Sequence, residues 1–166
     1  MIDNSFKNHL KKINPNWKSK SRIFGQVIED WFVDNITCEC RGKFLLQKTN
    51  QKSYDCVCEL CNKKIQIKSQ KNIFKPNKDN TLRILGSEYK TTLKSINMSE
   101  NWDLFLISYD KINFRVNQIL KIDSDYINTK CVFPRKPLGP NARRAGWRGC
   151  YLDFNWNDVT EVFKDI

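Results

Sequence analysis

The chain has 166 residues and 19.7 kDa, with 29 Lys+Arg against 18 Asp+Glu and a formal charge of +11 before its single histidine is counted. A composition 40% hydrophobic and 12% aromatic suits one globular domain with a real core, and no run approaches the roughly 18 apolar residues of a membrane span. The only imidazole, His9, lies in the polar leading segment, which counts against Ser-His-Asp and Cys-His hydrolases and histidine-based nucleases and leaves carboxylate, lysine and metal chemistry.

The positive surplus points to a polyanionic partner, because each phosphate contact releases counterions and adds affinity; the plainer reading is a soluble basic surface. The leading segment lacks the apolar core of a secretory signal, so the chain is expected to stay in the cytoplasm where it is made, with no membrane partner. In a reducing compartment the seven cysteines indicate metal ligation rather than disulfides.

Residues 1–20 read as a lysine-rich arm or short helix anchored by Phe6, Leu10, Ile13 and Trp17. From an N-cap at Ser19 or Ser21, SRIFGQVIEDWFVDN spaces Ile23, Val27 and Trp31 four apart, with Phe24, Ile28 and Phe32 beside them, and predicts a helix that carries Glu29 and Asp30 at its flank. Cys38 and Cys40, then Cys56, Cys58 and Cys61, come next. KKIQIKS alternates Ile65 and Ile67 with Gln66 and Lys68, a half-buried strand, and KSYDCV before it can pair as a hairpin whose tip is the cysteine knuckle. Residues 72–86 read as a loop and Ser87 to Ile96 as a helix. DLFLISY (103–109) and INFRV (112–116) read as strands, followed by a basic loop over 134–149, a short strand at Tyr151 to Phe154 and a closing helix from Asn157. No repeat or linker divides the chain, so residues 1–166 are expected to form a single domain.

Three groups of residues carry chemistry. Cys58-x2-Cys61 can grip one edge of a tetrahedral zinc, and a second pair about 20 residues away completes a ribbon-type site. Cys38, Cys40, Cys58 and Cys61 are the expected ligands, within a ribbon at about 36–63, and Cys56 is the substitute should one of the first pair fail. Four thiolates leave no open position, so such a zinc is structural. Cys131 and Cys150 are expected in the core, and the plainer reading of the whole group is small buried hydrophobes.

The second group is Asp55 with Gln66, Ile67 and Lys68. Residues two apart share a strand face, so Gln66 and Lys68 point the same way and the hairpin sets Asp55 alongside. A carboxylate, a side-chain carbonyl and a main-chain carbonyl can hold Mg²⁺ through oxygen, while an adjacent ammonium orients water for phosphodiester hydrolysis. A solvated lysine-rich face is the plainer alternative. The third is Arg143, Arg144, Trp147 and Arg148, preceded by Arg135 and Lys136. Guanidinium groups reach phosphates or guanine edges and an indole lies against a base or a methyl group, whereas the plainer reading is a basic loop pinned by one buried tryptophan.

Together these groups resemble the catalytic domain of the DpnI-like methyl-directed restriction endonucleases, grouped with the Dam-replacing proteins in the PD-(D/E)xK superfamily. The longest matching stretch is KPLGPNARRAGWRGC (136–150). IEDW (28–31), the Asp55 to Lys68 spacing around Cys58-x2-Cys61, KSQKN (68–72) and FLISY (105–109) follow the same order, over roughly residues 20 to 155. The resemblance implies an α/β (α+β) fold of the restriction-endonuclease-like core, with a mixed central sheet flanked by helices and an inserted zinc ribbon. It also implies Mg²⁺-dependent (or Mn²⁺-dependent) cleavage of double-stranded DNA at N6-methyladenine sites, with GATC as target. Asp55, Gln66 and the Ile67 carbonyl would hold magnesium, Lys68 would be the catalytic lysine, Glu29 a supporting acid, and Trp147 the residue facing the adenine methyl groups.

Gln66 stands where the family has glutamate, which removes one negative charge and weakens Mg²⁺ binding, although Mrr-like nucleases resemble this chain in carrying QxK. The upstream cysteine pair is C-x-C, and a counterpart of the winged-helix domain of the family's archetype is not expected within residues 1–166. The resulting expectation is a magnesium-dependent endonuclease for adenine-methylated DNA, acting as a monomer or a transient dimer on DNA. Its alternative is a methylated-DNA-binding module in which Gln66 has weakened or abolished catalysis; a zinc-stabilised RNA or single-strand binder is the third reading.

Overall fold

In helix α2, Ser21–Asn35, the residues Phe24, Val27, Ile28, Trp31 and Phe32 are all buried, at spacings of three and four that put them on one face. The computed structural model describes residues 2–13, 21–47, 54–98 and 101–165. Within them, helix α1 (Lys7–Ile13) precedes α2, so the expected arm or short helix is a helix over these residues, while Trp17 and Ser19 lie outside the described residues. Phe6 stands edge-on to Phe24 at 6.1 Å, and Phe24 stacks on Tyr109 at 5.5 Å. The lone histidine ties the two helices: His9 Nε2 lies 2.8 Å from Asp34 Oδ2.

The strands in chain order are β1 (Phe44–Leu46), β2 (Cys56–Cys58), β3 (Lys64–Gln70), β4 (Thr81–Glu88), β5 (Trp102–Asp110), β6 (Arg115–Ile122), β7 (Val132–Pro134), β8 (Gly149–Asn155) and β9 (Val159–Lys164), with helix α3 (Tyr89–Asn97) between β4 and β5. A six-stranded mixed sheet runs in the order β1-β2-β3-β5-β6-β9, and a three-stranded sheet in the order β4-β8-β7. β2 is antiparallel to both β1 and β3, whereas β3 and β5 are parallel, in register from Lys64 opposite Trp102 to Gln70 opposite Ser108. A mixed α+β architecture around a central mixed sheet is therefore what the chain adopts.

Strand β5 is buried from Trp102 to Tyr109, as a continuous apolar run at a sheet centre must be. Its buried Asp103 is compensated by Lys63 at 3.1 Å and Lys121 at 3.6 Å. The apolar side of α2 packs with Ile65 and Ile67 of β3, Phe105 and Ile107 of β5 and Val116 and Ile119 of β6 in one cluster.

Several boundaries differ from the sequence expectation. Residues 81–88 form strand β4 rather than the end of a loop: Leu82 and Ile84 are buried between exposed Arg83 and Leu85, a period of two hidden inside an Asn- and Lys-rich composition. The following helix starts at Tyr89, because Glu88 caps it by accepting from the Lys90 and Thr91 N–H groups. Residues 111–114 are a turn, with Phe114 at φ 55° and Asp110 accepting from the Ile112 and Asn113 N–H groups, so the next strand begins at Arg115 rather than Ile112. The expected closing helix is a 3₁₀ turn, Trp156–Asp158, and then strand β9, because the edge beside β6 offers backbone partners that a short isolated helix lacks.

The chain divides into two compact units: Met1–Phe74, Trp102–Lys121 and Thr160–Ile166 form the first, and Lys75–Asn101 with Ile122–Val159 the second. No helix among the described residues is long and apolar enough to cross a membrane.

Candidate active site

In the first unit, β2 and β3 form the expected hairpin, with Cys56 opposite Ile65. Asp55 therefore sits just before β2, its N–H donating to the Ile65 carbonyl at 2.8 Å. Its Oδ2 accepts the Ile67 N–H at 2.6 Å and the Gln66 Nε2 at 2.9 Å. A residue's N–H and C=O lie on the same edge of a strand, so the Ile67 carbonyl is directed to the edge that Asp55 occupies. Gln66 and Lys68 share the opposite face from buried Ile65 and Ile67.

Glu29 reaches the neighbourhood from α2. Burial, then the Asp55 charge, push its carboxyl up to about 7, and the Lys68 ammonium opposes them. Asp55 is raised as well, by burial first, against the Ile67 N–H and Lys68. Two partly dehydrated carboxylates held near one ammonium form an arrangement short of positive charge, and their oxygen donors suit a divalent cation. The structure thus brings together Asp55, Gln66, Ile67, Lys68 and Glu29, five residues drawn from a helix, a strand and the residue before another strand.

The cysteine cluster lies in the same unit. Sγ atoms of Cys38, Cys40, Cys58 and Cys61 all fall within 4.8 Å of one another, with Cys38 to Cys61 at 3.5 Å and Cys40 to Cys58 at 3.4 Å. A tetrahedron with bonds of about 2.3 Å has edges of about 3.8 Å, so the four sulfurs fit zinc. Two tight turns present them. Arg41, at φ 69°, closes the first, with its N–H on the Cys38 carbonyl and the Cys38 N–H on the Gly42 carbonyl; Asn62, at φ 59°, closes the second, its N–H on the Cys58 carbonyl. The Cys61 and Leu60 N–H groups on its sulfur pull the Cys58 thiol down to about 7. Gly42 is required by proximity, since a Cβ there would stand 2.5 Å from the Cys58 sulfur. Cys56 is not among the four sulfurs that converge, and its buried thiol is raised by desolvation. Cys131 and Cys150 are buried in the second unit, as expected of core residues.

In the second unit the basic loop is ordered by its own backbone. Leu138 N–H donates to the Trp147 carbonyl at 2.9 Å, Gly146 N–H to the Leu138 carbonyl at 3.0 Å, and Gly146 takes φ 78°. The Arg144 guanidinium lies 4.6 Å from the centre of the Trp147 ring. Trp147 and Arg148 line a cleft of about 480 Å³ with Tyr89 and Lys90 at the start of α3; Lys136 and Arg143 are exposed, and Arg135 extends over the Tyr151 ring at 5.4 Å. Tyr89 and Tyr151 are absent from the sequence-derived set, because nothing local marks either tyrosine as a neighbour of this loop.

A mixed-sheet α+β protein with a carboxylate–lysine cluster, four convergent cysteines and a basic aromatic loop has the parts of a metal-using, polyanion-binding protein. The chain matches the DpnI, Dam-replacing family over residues 5–162 of its 166, and it belongs to that family. Membership implies a methyl-directed restriction endonuclease and, with it, DNA binding and use of a divalent metal.

Proposed function

We propose that the protein is a Mg²⁺-dependent endonuclease of the PD-(D/E)xK type that hydrolyses double-stranded DNA at sites containing N6-methyladenine, with Gm6ATC as the target. The observation that carries this reading is the Asp55 carboxylate, gripped by Gln66 and the Ile67 N–H beside Lys68 and Glu29. Asp55, the Gln66 side-chain oxygen and the Ile67 carbonyl would hold the cation, which when bound polarises the scissile phosphate and acidifies water. Lys68, on the same strand face as Gln66, orients the attacking water, whose oxygen adds to phosphorus while a P–O ester bond breaks and the departing oxygen takes up a proton. Glu29, whose carboxyl burial brings to about 7, accepts the proton of the attacking water, and solvent water supplies the proton that the departing oxygen takes up. Cys38, Cys40, Cys58 and Cys61 would bind a structural zinc in a ribbon over about 36–63 that braces the β2–β3 hairpin. Arg135, Lys136, Arg143, Arg144 and Arg148 contact DNA, and Trp147 offers the methyl group an apolar surface in the major groove, where adenine N6 is displayed.

The test is digestion of one plasmid prepared with and without adenine methylation, in Mg²⁺, in Mn²⁺ and in chelator. Metal-dependent cutting of the methylated form alone is expected. Binding that prefers methylated DNA without any cutting would instead make the chain a reader whose catalysis Gln66 has removed.

A further inference from the structure

Along β8, Gly149, Tyr151 and Asp153 share one face, because strand side chains alternate, while Cys150, Leu152 and Phe154 form the buried face. The open face carries an alternating series of guanidinium and aromatic groups. Trp147, under Arg144, lies over Gly149, where a Cβ would come within 3.0 Å of the indole. The Arg135 side chain passes 3.5 Å from the same point and its guanidinium sits 5.4 Å from the Tyr151 ring. On the neighbouring strand β4, the Arg83 guanidinium sits 4.8 Å from that ring. All of these residues belong to the second unit. The series therefore runs on past the basic loop to Arg83, which lies 52 positions before Arg135 in sequence.

Arg83 is held more firmly than the loop arginines. It stands directly opposite Asp153 in the β4–β8 register, and its Nε and Nη2 donate to Oδ1 and Oδ2 of that carboxylate, each at 2.7 Å. Two of its five donors are so used, and the remaining N–H groups form a fork whose direction Asp153 and Tyr151 fix. Asp153 is largely covered whereas Arg83 is about half exposed, so the fork is reachable. The pair is electrically neutral overall. A neutral pair gains little from counterion release at a phosphate but keeps an oriented pair of donors, which is what a base edge with two acceptors requires.

We propose that Arg83 reads a guanine of the methylated site, donating to O6 and N7 in the major groove, with Asp153 and Tyr151 as its positioning residues. This rests on the reading of the chain as a protein of methylated duplex DNA; phosphate contacts fall to the unpaired positive charges of the loop.

The experiment measures binding of the full chain, with Ca²⁺ in place of Mg²⁺, to a short Gm6ATC duplex and to a set in which each base pair in and beside that site is replaced in turn. Wild type should lose about tenfold or more in affinity when one G·C pair is replaced. Arg83→Ala should bind the parent duplex weaker by the same factor, become indifferent to that pair alone, and keep the wild-type slope of log affinity against log salt. Arg83→Lys, which keeps the charge but not the fork, should behave as Arg83→Ala, and Asp153→Asn should blunt discrimination at the same pair; a melting curve for each confirms folding. Uniform weakening on every duplex with a shallower salt slope would make Arg83 a phosphate contact and overturn the inference, as would unchanged binding. Wild-type preference for methylated duplex without any G·C discrimination would overturn this inference and leave the endonuclease reading standing, whereas no binding to any duplex would overturn both.

Discussion

Gln66 and Asp55 are bonded to each other, the amide Nε2 donating to the carboxylate Oδ2 at 2.9 Å. That bond turns the amide nitrogen toward the carboxylate, so the Gln66 oxygen, the only part able to ligate a hard cation, joins Asp55 at a metal only when the amide turns over. Gln66→Glu adds a negative charge to a site already crowded with two raised carboxyls. Cleavage by the variant should saturate at roughly tenfold lower Mg²⁺, while its melting temperature in chelator falls below that of wild type. A metal titration of cleavage, paired with melting curves in chelator and in Mg²⁺, checks both arms.

Lys68 shares the Gln66 face of β3 and lies close enough to Glu29 and Asp55 for its charge to oppose their rise. Lys68→Ala should lower the cleavage rate by about 10³-fold or more while leaving affinity for methylated duplex within about threefold of wild type. Single-turnover cleavage and a binding titration in Ca²⁺ separate the two quantities.

Glu29 ties stability to pH. Its carboxyl is pushed to about 7 in the folded protein from an ordinary value of 4.5, so the folded state holds the proton more tightly than the unfolded state does. Its contribution therefore favours the fold at low pH, is lost progressively as pH rises from about 4.5 to about 7, and is flat above that. Because Glu29 is partly exposed, the loss should be ~1–2 kcal/mol rather than the full conversion of the shift. Denaturant unfolding in chelator across this range should show the decline, and Glu29→Gln should flatten it; saturating Mg²⁺ should flatten it too, by compensating the carboxylate.

The cysteine cluster distinguishes between neighbouring thiols. Cys56→Ala should retain one zinc per chain and lose ~1–2 kcal/mol of packing, whereas Cys58→Ser should lose the zinc. Gly42→Ala should also lose it, since the added Cβ would stand 2.5 Å from the Cys58 sulfur. Chelator strong enough to strip the metal should lower wild-type stability by several kcal/mol, of order ~5, because the two turns that present the sulfurs have little apolar packing of their own. Elemental analysis with melting curves gives the answer for each variant.

Local pattern made much of the fold legible. The three-and-four spacing from Phe24 to Phe32 marks α2, the alternation from Ile65 to Lys68 marks β3, and the unbroken apolar run in β5 marks a strand buried on both faces. The adjacency of Asp55 to Gln66 and Ile67 was readable too, because a hairpin converts sequence spacing into adjacency, although the spacing alone does not separate a site from a solvated lysine-rich face. Residues 81–88 and 159–164 were not: the first hides two buried residues, Leu82 and Ile84, among polar neighbours, and the second has so weak a pattern, with Val162 exposed, that helix and strand are locally equivalent. For β9 the choice was made by the open edge of β6, which no local signal records.

Residue types, the grouping of five cysteines within 24 residues, and the hairpin that joins Asp55 to Lys68 were legible from the chain alone, because each depends on near neighbours in sequence. Tertiary structure alone decided that Cys56 turns into the core, that Glu29 is brought near Asp55, and that Arg83 stands opposite Asp153 under the Tyr151 ring. Those relationships come from strand register and helix packing between distant segments, and register is set by burying one face of a whole sheet rather than by any residue's own preference.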